Sequence, residues 1–218
     1  MSKMQFLLIF MVLAMVSPAT ALAQDAKMSF FLVSMGPGNG ADLGGLEGAD
    51  QHCGTLAEDS GAGGRTWRAY LSATASGNQP GVNARDRIGQ GPWYNSSGVQ
   101  VAQDVDDLHS DSNNLTKQTV LNEKGEMTNG RGDSPNRHDI LTGSQLDGTA
   151  VLGSEDTTCQ NWTGSGEGSA MVGHFDRTGG GQNPTSWNSA HDSRGCSQED
   201  LIGTGGNGYF FCFAVREE

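Results

Sequence analysis

The chain has 218 residues, with 25 acidic side chains against 13 basic ones and a formal net charge of −12. That balance argues against nucleic acid and anionic membrane surfaces as partners, since both need a basic patch, and it fits neutral ligands such as sugars, or divalent cations. Thirty-three glycines without a three-residue period exclude collagen; clustered between apolar runs, they predict tight turns and long loops, while 4 Trp and 8 Phe in patterned segments predict a packed domain.

The N-terminus opens with a basic residue, Lys3, and an apolar run over 6–16. Ser17-Pro18 breaks the run, and Ala21-Leu22-Ala23 offers a small-x-small cleavage site. This predicts a signal peptide over 1–23, cleaved after Ala23, and an exported protein, periplasmic or secreted, with one domain over 24–218. The run is shorter than the roughly 20 residues of a membrane-spanning helix, and no later stretch is apolar enough, so an integral membrane protein is not expected.

Residues 28–35 (MSFFLVSM) read as a first strand, ended by Pro37-Gly38-Asn39-Gly40. Asp42 reads as the N-cap of a helix from 43 to about 61, terminated by the glycines at 61–64. Residues 66–72 predict a second strand with Trp67, Ala69 and Leu71 on one face. A short helix follows at 83–88, then one helical turn at 104–109 and short strands at 140–143 and 157–162. From 163 to 208 the chain is dominated by Gly, Ser, Asn and Asp and reads as loop; 209–215 (YFFCFAV) closes it as a strand. A strand at each end with helices early and loops late is an α+β plan, in which the first and last strands pair. There is no internal repeat and no sign of a second hydrophobic core. Trp67, Trp93 and Trp162, each in a patterned segment, read as core anchors.

Cys53, Cys159, Cys196 and Cys212 are even in number in an exported chain, so disulfides are the default, and no zinc-type cysteine spacing is present. Of the three connectivities, local pattern favours the nested one. Cys53 shares a helical face with Leu46, Ala49 and Leu56, Cys212 lies in the apolar last strand, and Cys159 and Cys196 flank the glycine-rich stretch.

GLEGADQHC (45–53) followed by GRTWRAYLS (64–72) resembles the opening of endostatin-like domains. DRIGQGPWYN, ILTGSQLDGT and TTCQNWTGSGEGSAMVG are similar to the rest of that pattern, and the chain also resembles bacterial exported proteins described as lectins. The resemblance covers about 28–215. It implies a C-type-lectin-like (endostatin-like) domain with joined termini, two nested disulfides and a variable long loop that binds ligands. Calcium-dependent lectins hold their ion with Glu-Pro-Asn or Gln-Pro-Asp and with Trp-Asn-Asp tripeptides. Here Trp187-Asn188-Ser189 approximates the last with Ser for Asp, and Asn183-Pro184-Thr185 matches the first only in part. Ca²⁺ is thus the cofactor the resemblance would bring, with carboxylates missing that the ion uses.

The candidate ligand-binding residues are His174, Asp176, Asn183, Trp187, Asn188, His191 and Asp192, in which Trp187 reads as an exposed aromatic platform among amides and carboxylates. His138-Asp139, His174, His191 and Asp192 also have metal-ligating or acid–base chemistry, but without an HExxH or two-histidine helical motif they read as scattered surface groups. No GxSxG motif is present and all four cysteines are expected in bridges, so no enzyme is expected. Arg131-Gly132-Asp133, the integrin-recognition tripeptide, reads as a turn. The expected function is a lectin-like binding protein that recognises a carbohydrate or other surface ligand through the loop at 163–208. An adhesion or matrix module that binds protein is the alternative, and a metal-dependent enzyme on the same fold the third reading.

Overall fold

A computed structural model of the protein describes residues 27–153 and 155–215; the leader expected over 1–23 lies outside them. The fold is mixed α+β. Strands β1 (Phe30–Leu32), β2 (Thr66–Ala69) and β9 (Phe211–Val215) form an antiparallel sheet in the order β1-β9-β2, so the last strand lies between the first two. The expected pairing of the chain's ends is present, with Phe31 opposite Cys212 and Cys212 opposite Ala69. The runs of β1 and β9 are apolar at nearly every position because both faces of this sheet are covered.

Helix α1 (Gly45–Asp59) covers one face, burying Ala49, Cys53, Leu56 and Ala57 against Phe31, Trp67 and Leu71. On the other face Phe30, Phe211 and Phe213 meet Tyr70, Trp93, Leu108 and Trp187. There are thus two apolar clusters where the sequence suggested one, because alternate side chains of one sheet point into different layers. Asp42 does not cap the helix. Its Oδ1 accepts from the backbone N–H of Gly44 (3.1 Å), and Gly44, at φ 75°, turns the chain into α1. Asp50, buried in α1, accepts from Arg68 Nη1, Arg87 Nη2 and the N–H of Ala69, which ties the helix to β2 and to the short 3₁₀ turn Ala84–Asp86 nearby.

The nested disulfides are present: Cys53–Cys212 joins α1 to β9, and Cys159–Cys196 closes the glycine-rich stretch. A small ribbon of β3 (Trp93–Tyr94) and β4 (Gln100–Ala102) precedes the one-turn helix α2 (Val105–Leu108), which Asp104 caps by accepting from the Asp107 N–H. The strand expected at 157–162 is instead a turn, α3 (Cys159–Trp162), whose four residues all have positive φ. Side-chain oxygens of Asp156 and Thr158 accept its N–H groups at Gln160 and Asn161, and the Trp162 indole donates to the Ser72 carbonyl (2.7 Å). These local hydrogen bonds and the buried indole outweigh the cost of the left-handed backbone.

The stretch 163–208 is more ordered than its composition suggested. It contains β6 (Met171–His174), β7 (His191–Asp192), α4 (Gln198–Thr204) and β8 (Gly206–Tyr209). With β5 (Asp139–Leu141) these form a second sheet, order β7-β6-β5-β8, in which only β5 and β8 run parallel. Each strand is too short to show a period in the sequence. Among the described residues, no helix is long and apolar enough to cross a membrane.

Candidate functional site

The second sheet brings together three of the chain's five histidines. In the β5–β6 ladder Asp139 lies opposite His174; in the β6–β7 ladder His191 lies opposite Val172, two residues from His174. Period-2 alternation therefore puts Asp139, His174 and His191 on one face, and His138, just before β5, leans onto the same point. Asp139 Oδ1 is 3.1 Å from His138 Nε2, 3.4 Å from His174 Nε2 and 3.7 Å from His191 Nε2. The Nε2 atoms of His174 and His191 are 3.0 Å apart, and the rings of His138 and His174 stack with centroids 4.3 Å apart. The side chains of His138, Asp139 and His174 are at most 5% exposed; that of His191, at 24%, closes the solvent side.

Each imidazole is held from behind. His138 Nδ1 faces Asp176 Oδ1 (3.2 Å), His174 Nδ1 the carbonyl of Pro184 (2.8 Å), and His191 Nδ1 the carbonyl of Asp192 (3.0 Å). Asp176 also accepts from the N–H groups of Arg131 and Thr178. Burial alone would raise the Asp176 pKa, but the His138 and backbone hydrogen bonds outweigh it and hold the group down at about 2. Burial lowers His174 to about 4 and raises Asp139 above the ordinary carboxylate range. Both Asp139 oxygens are buried without a hydrogen-bond partner. Two imidazole nitrogens and a carboxylate oxygen, from His138, Asp139 and His174, have the spacing to hold one cation, and His191 brings a third nitrogen to the same oxygen.

The chain between β6 and β7 folds back over this cluster. A Cβ on Gly179 would collide with the His174 imidazole, and one on Gly181 would come within 2.8 Å of His191 Cδ2 at a backbone φ of 91°. Glycine at 179 and at 181 is thus explained by close approach to two imidazoles.

The candidate ligand residues divide accordingly. His174, Asp176 and His191 belong to the cluster, and Asp192 supplies a backbone carbonyl to it. Trp187 is not an exposed platform: it is 3% exposed, packs against Tyr70 and Phe211, and donates from Nε1 to the Leu108 carbonyl (3.1 Å). Asn188, 1% exposed, donates to Tyr70 Oη and to the carbonyls of Gln145 and Leu146, while its Oδ1 accepts from Ser186 Oγ. A calcium ion therefore finds no free carboxylate or amide oxygen in the Trp187-Asn188-Ser189 tripeptide, and these residues do not fit a calcium site. Asn183 is half-buried and braces the loop through Ser189 O. The histidines are not scattered over the surface: His138, His174 and His191 converge, and Asp139 stands at their centre. The signal that could have found the cluster is the excess of histidine and aspartate at strand ends, which becomes legible only once strand pairing is known.

In the Arg131-Gly132-Asp133 turn, the carboxylate of Asp133 accepts from Lys117 Nζ (2.5 Å) and the Gly130 N–H, so its acid is engaged within the fold. A cavity of about 480 Å³ opens beside the cluster and is lined by His109, Asp111, Leu146, Arg177, Asn183 and Pro184 among others. Leu146 presents an exposed apolar face there, and Arg177, at φ 55°, hydrogen-bonds Asn113 Oδ1. A larger cavity of about 760 Å³, lined by Lys27, Arg65, Tyr94 and Val215, lies where the described chain begins and ends.

No family model matches the chain, and no curated protein matches it either.

Proposed function

We propose that the protein is an exported, C-type-lectin-like binding module that takes a carbohydrate or similar polar surface ligand in the groove between α2 and the β6–β7 loop. The observation that carries this reading is the groove's lining. Leu146 offers an apolar wall for the face of a sugar ring, while Arg177, Asp111, Gln182 and the hydroxyls of Ser110 and Thr185 offer hydrogen bonds to its rim. Paired chain ends, nested disulfides and a long loop between short strands support the lectin-like architecture.

The test is a glycan array with the wild-type protein and with Leu146→Ala and Arg177→Ala, both on the surface of the groove. Binding by wild type that each variant weakens by about tenfold, a loss of about 1.4 kcal/mol, supports the reading. An array without binding, or binding unchanged in both variants, overturns it. Calcium is not required, so binding persists in a calcium chelator.

A further inference from the structure

We propose that His138, Asp139 and His174 form a site for a divalent transition metal of the zinc type, which His191 completes from the solvent side and which clamps the β6–β7 loop shut. The argument begins with where the protons must be. Each imidazole Nδ1 faces only an acceptor: the Asp176 carboxylate, the Pro184 carbonyl and the Asp192 carbonyl. Each Nδ1 therefore carries the hydrogen, and in the neutral ring each Nε2 presents a bare lone pair to the centre. The 3.0 Å contact between His174 Nε2 and His191 Nε2 then sets lone pair against lone pair. The Asp139 carboxylate, with three Nε2 atoms within 3.7 Å, receives a hydrogen bond from none of them. A single added proton would bridge one of these contacts and leave the others facing. A cation at the centre meets the donors of His138, Asp139 and His174 at once, with His191 on its solvent side.

The dimensions agree. Ligands about 2.0–2.1 Å from a tetrahedral zinc ion lie about 3.3 Å from each other. The donors of His138, Asp139 and His174 all lie within 4.8 Å of one another, and four of the six donor–donor distances are 3.0, 3.1, 3.4 and 3.7 Å; His191 stands outside that close set and must swing toward His138 to complete a tetrahedron. Three nitrogens and one carboxylate oxygen suit zinc or cobalt; calcium takes six to eight oxygens. Hydrogen bonds from every ligating imidazole to a carboxylate or carbonyl behind it are the usual support of such a centre. Loading must tilt the stacked rings of His138 and His174 away from parallel so that both Nε2 atoms point at one ion.

His191 stands on the solvent side of the three donors, where a substrate would otherwise enter, and the backbone at Gly179 and Gly181 lies directly on two of the rings. The site is therefore a clamp and not a catalytic centre. Two ligands, His174 and His191, are the residues on either side of the 175–190 loop, and Asp139 and His138 fix them to the neighbouring strand. The metal would cross-link β5, β6 and β7 much as Cys159–Cys196 cross-links the flanking turns.

The test uses the full exported protein with its disulfides formed. It is stripped with a chelator, dialysed, and titrated separately with zinc and with cobalt, with stoichiometry read by elemental analysis. One zinc per chain, the intense visible absorption of four-coordinate cobalt, and a melting temperature that rises with zinc are expected. His191→Ala, at the solvent edge, and Asp176→Asn, behind His138, should each weaken zinc affinity at least tenfold. Absence of stoichiometric zinc uptake by the wild-type chain overturns the proposal, whatever the variants do. So does unchanged affinity in His191→Ala. Circular dichroism and free-thiol titration of each variant show whether it is folded; if His191→Ala is not, Asp176→Asn and the cobalt spectrum of wild type decide. A blank glycan array beside one bound zinc would remove the ligand reading and leave the metal site standing.

Discussion

Replacing Trp187 with alanine separates an aromatic ligand platform from a core residue. The indole is 3% exposed and lies within 4.8–5.6 Å, centroid to centroid, of the rings of Tyr70, His109 and Phe211. Truncating a buried Trp costs about 3–5 kcal/mol in lost contacts and cavity. The Leu108 carbonyl, which accepts from the indole N–H, loses its donor as well. For a domain of this size each kcal/mol lowers the melting temperature by roughly 2–4 °C, so Trp187→Ala should melt roughly 6–20 °C below wild type. Calorimetry, with urea unfolding monitored by circular dichroism, reads this directly. Trp187→Phe, which keeps most of the ring volume and loses the N–H, should fall between the two. A variant that melts within about 2 °C of wild type yet no longer binds glycan would refute the packing argument and restore Trp187 to the ligand surface.

Two further outcomes follow from buried charge. Asp50→Ala leaves Arg87, with a side chain only 12% exposed, without its carboxylate partner, and should destabilise by about 3–5 kcal/mol; an urea midpoint that does not move refutes the network. In metal-free protein, the unfolded chain takes up a proton at His174 near its ordinary 6.5 while the folded chain refuses it until about 4. The His174 contribution is therefore complete above the unfolded value and is lost as pH falls from there through about 4, by on the order of 3 kcal/mol. Asp176, held at about 2 against an ordinary 3.8, extends the loss to lower pH. Urea midpoints that stay constant between about pH 7 and about pH 4.5 would refute this.

Several elements were legible in the sequence because their information is local. The apolar runs of β1 and β9 and the 3.6-residue spacing of Leu46, Ala49, Cys53 and Leu56 each lie within one short window. So does the Gly61 stop after α1. The nested disulfides followed from placing Cys53 and Cys212 on those elements. The turn at 159–162 misled the strand expectation because side chains of Asp156 and Thr158, not propensity, decide its backbone.

The histidine cluster was not legible. His138-Asp139, His174 and His191 stand in strands or strand ends of two to four residues, separated by 34 and 16 positions, and nothing local says that they share a face. The same chemistry spread over a surface would read identically. Trp187 failed in the opposite direction. Polar neighbours suggested exposure, but its ring turns inward because the loop folds it onto Tyr70 and Phe211 in the aromatic layer beneath. The sequence by itself determined the first and last strands, the principal helix and the pairing of cysteines, since each rests on patterns within a single element. Strand register alone brought Asp139 opposite His174 and His191 beside it, because pairing between segments distant along the chain is a property of the closed sheet and of no segment within it.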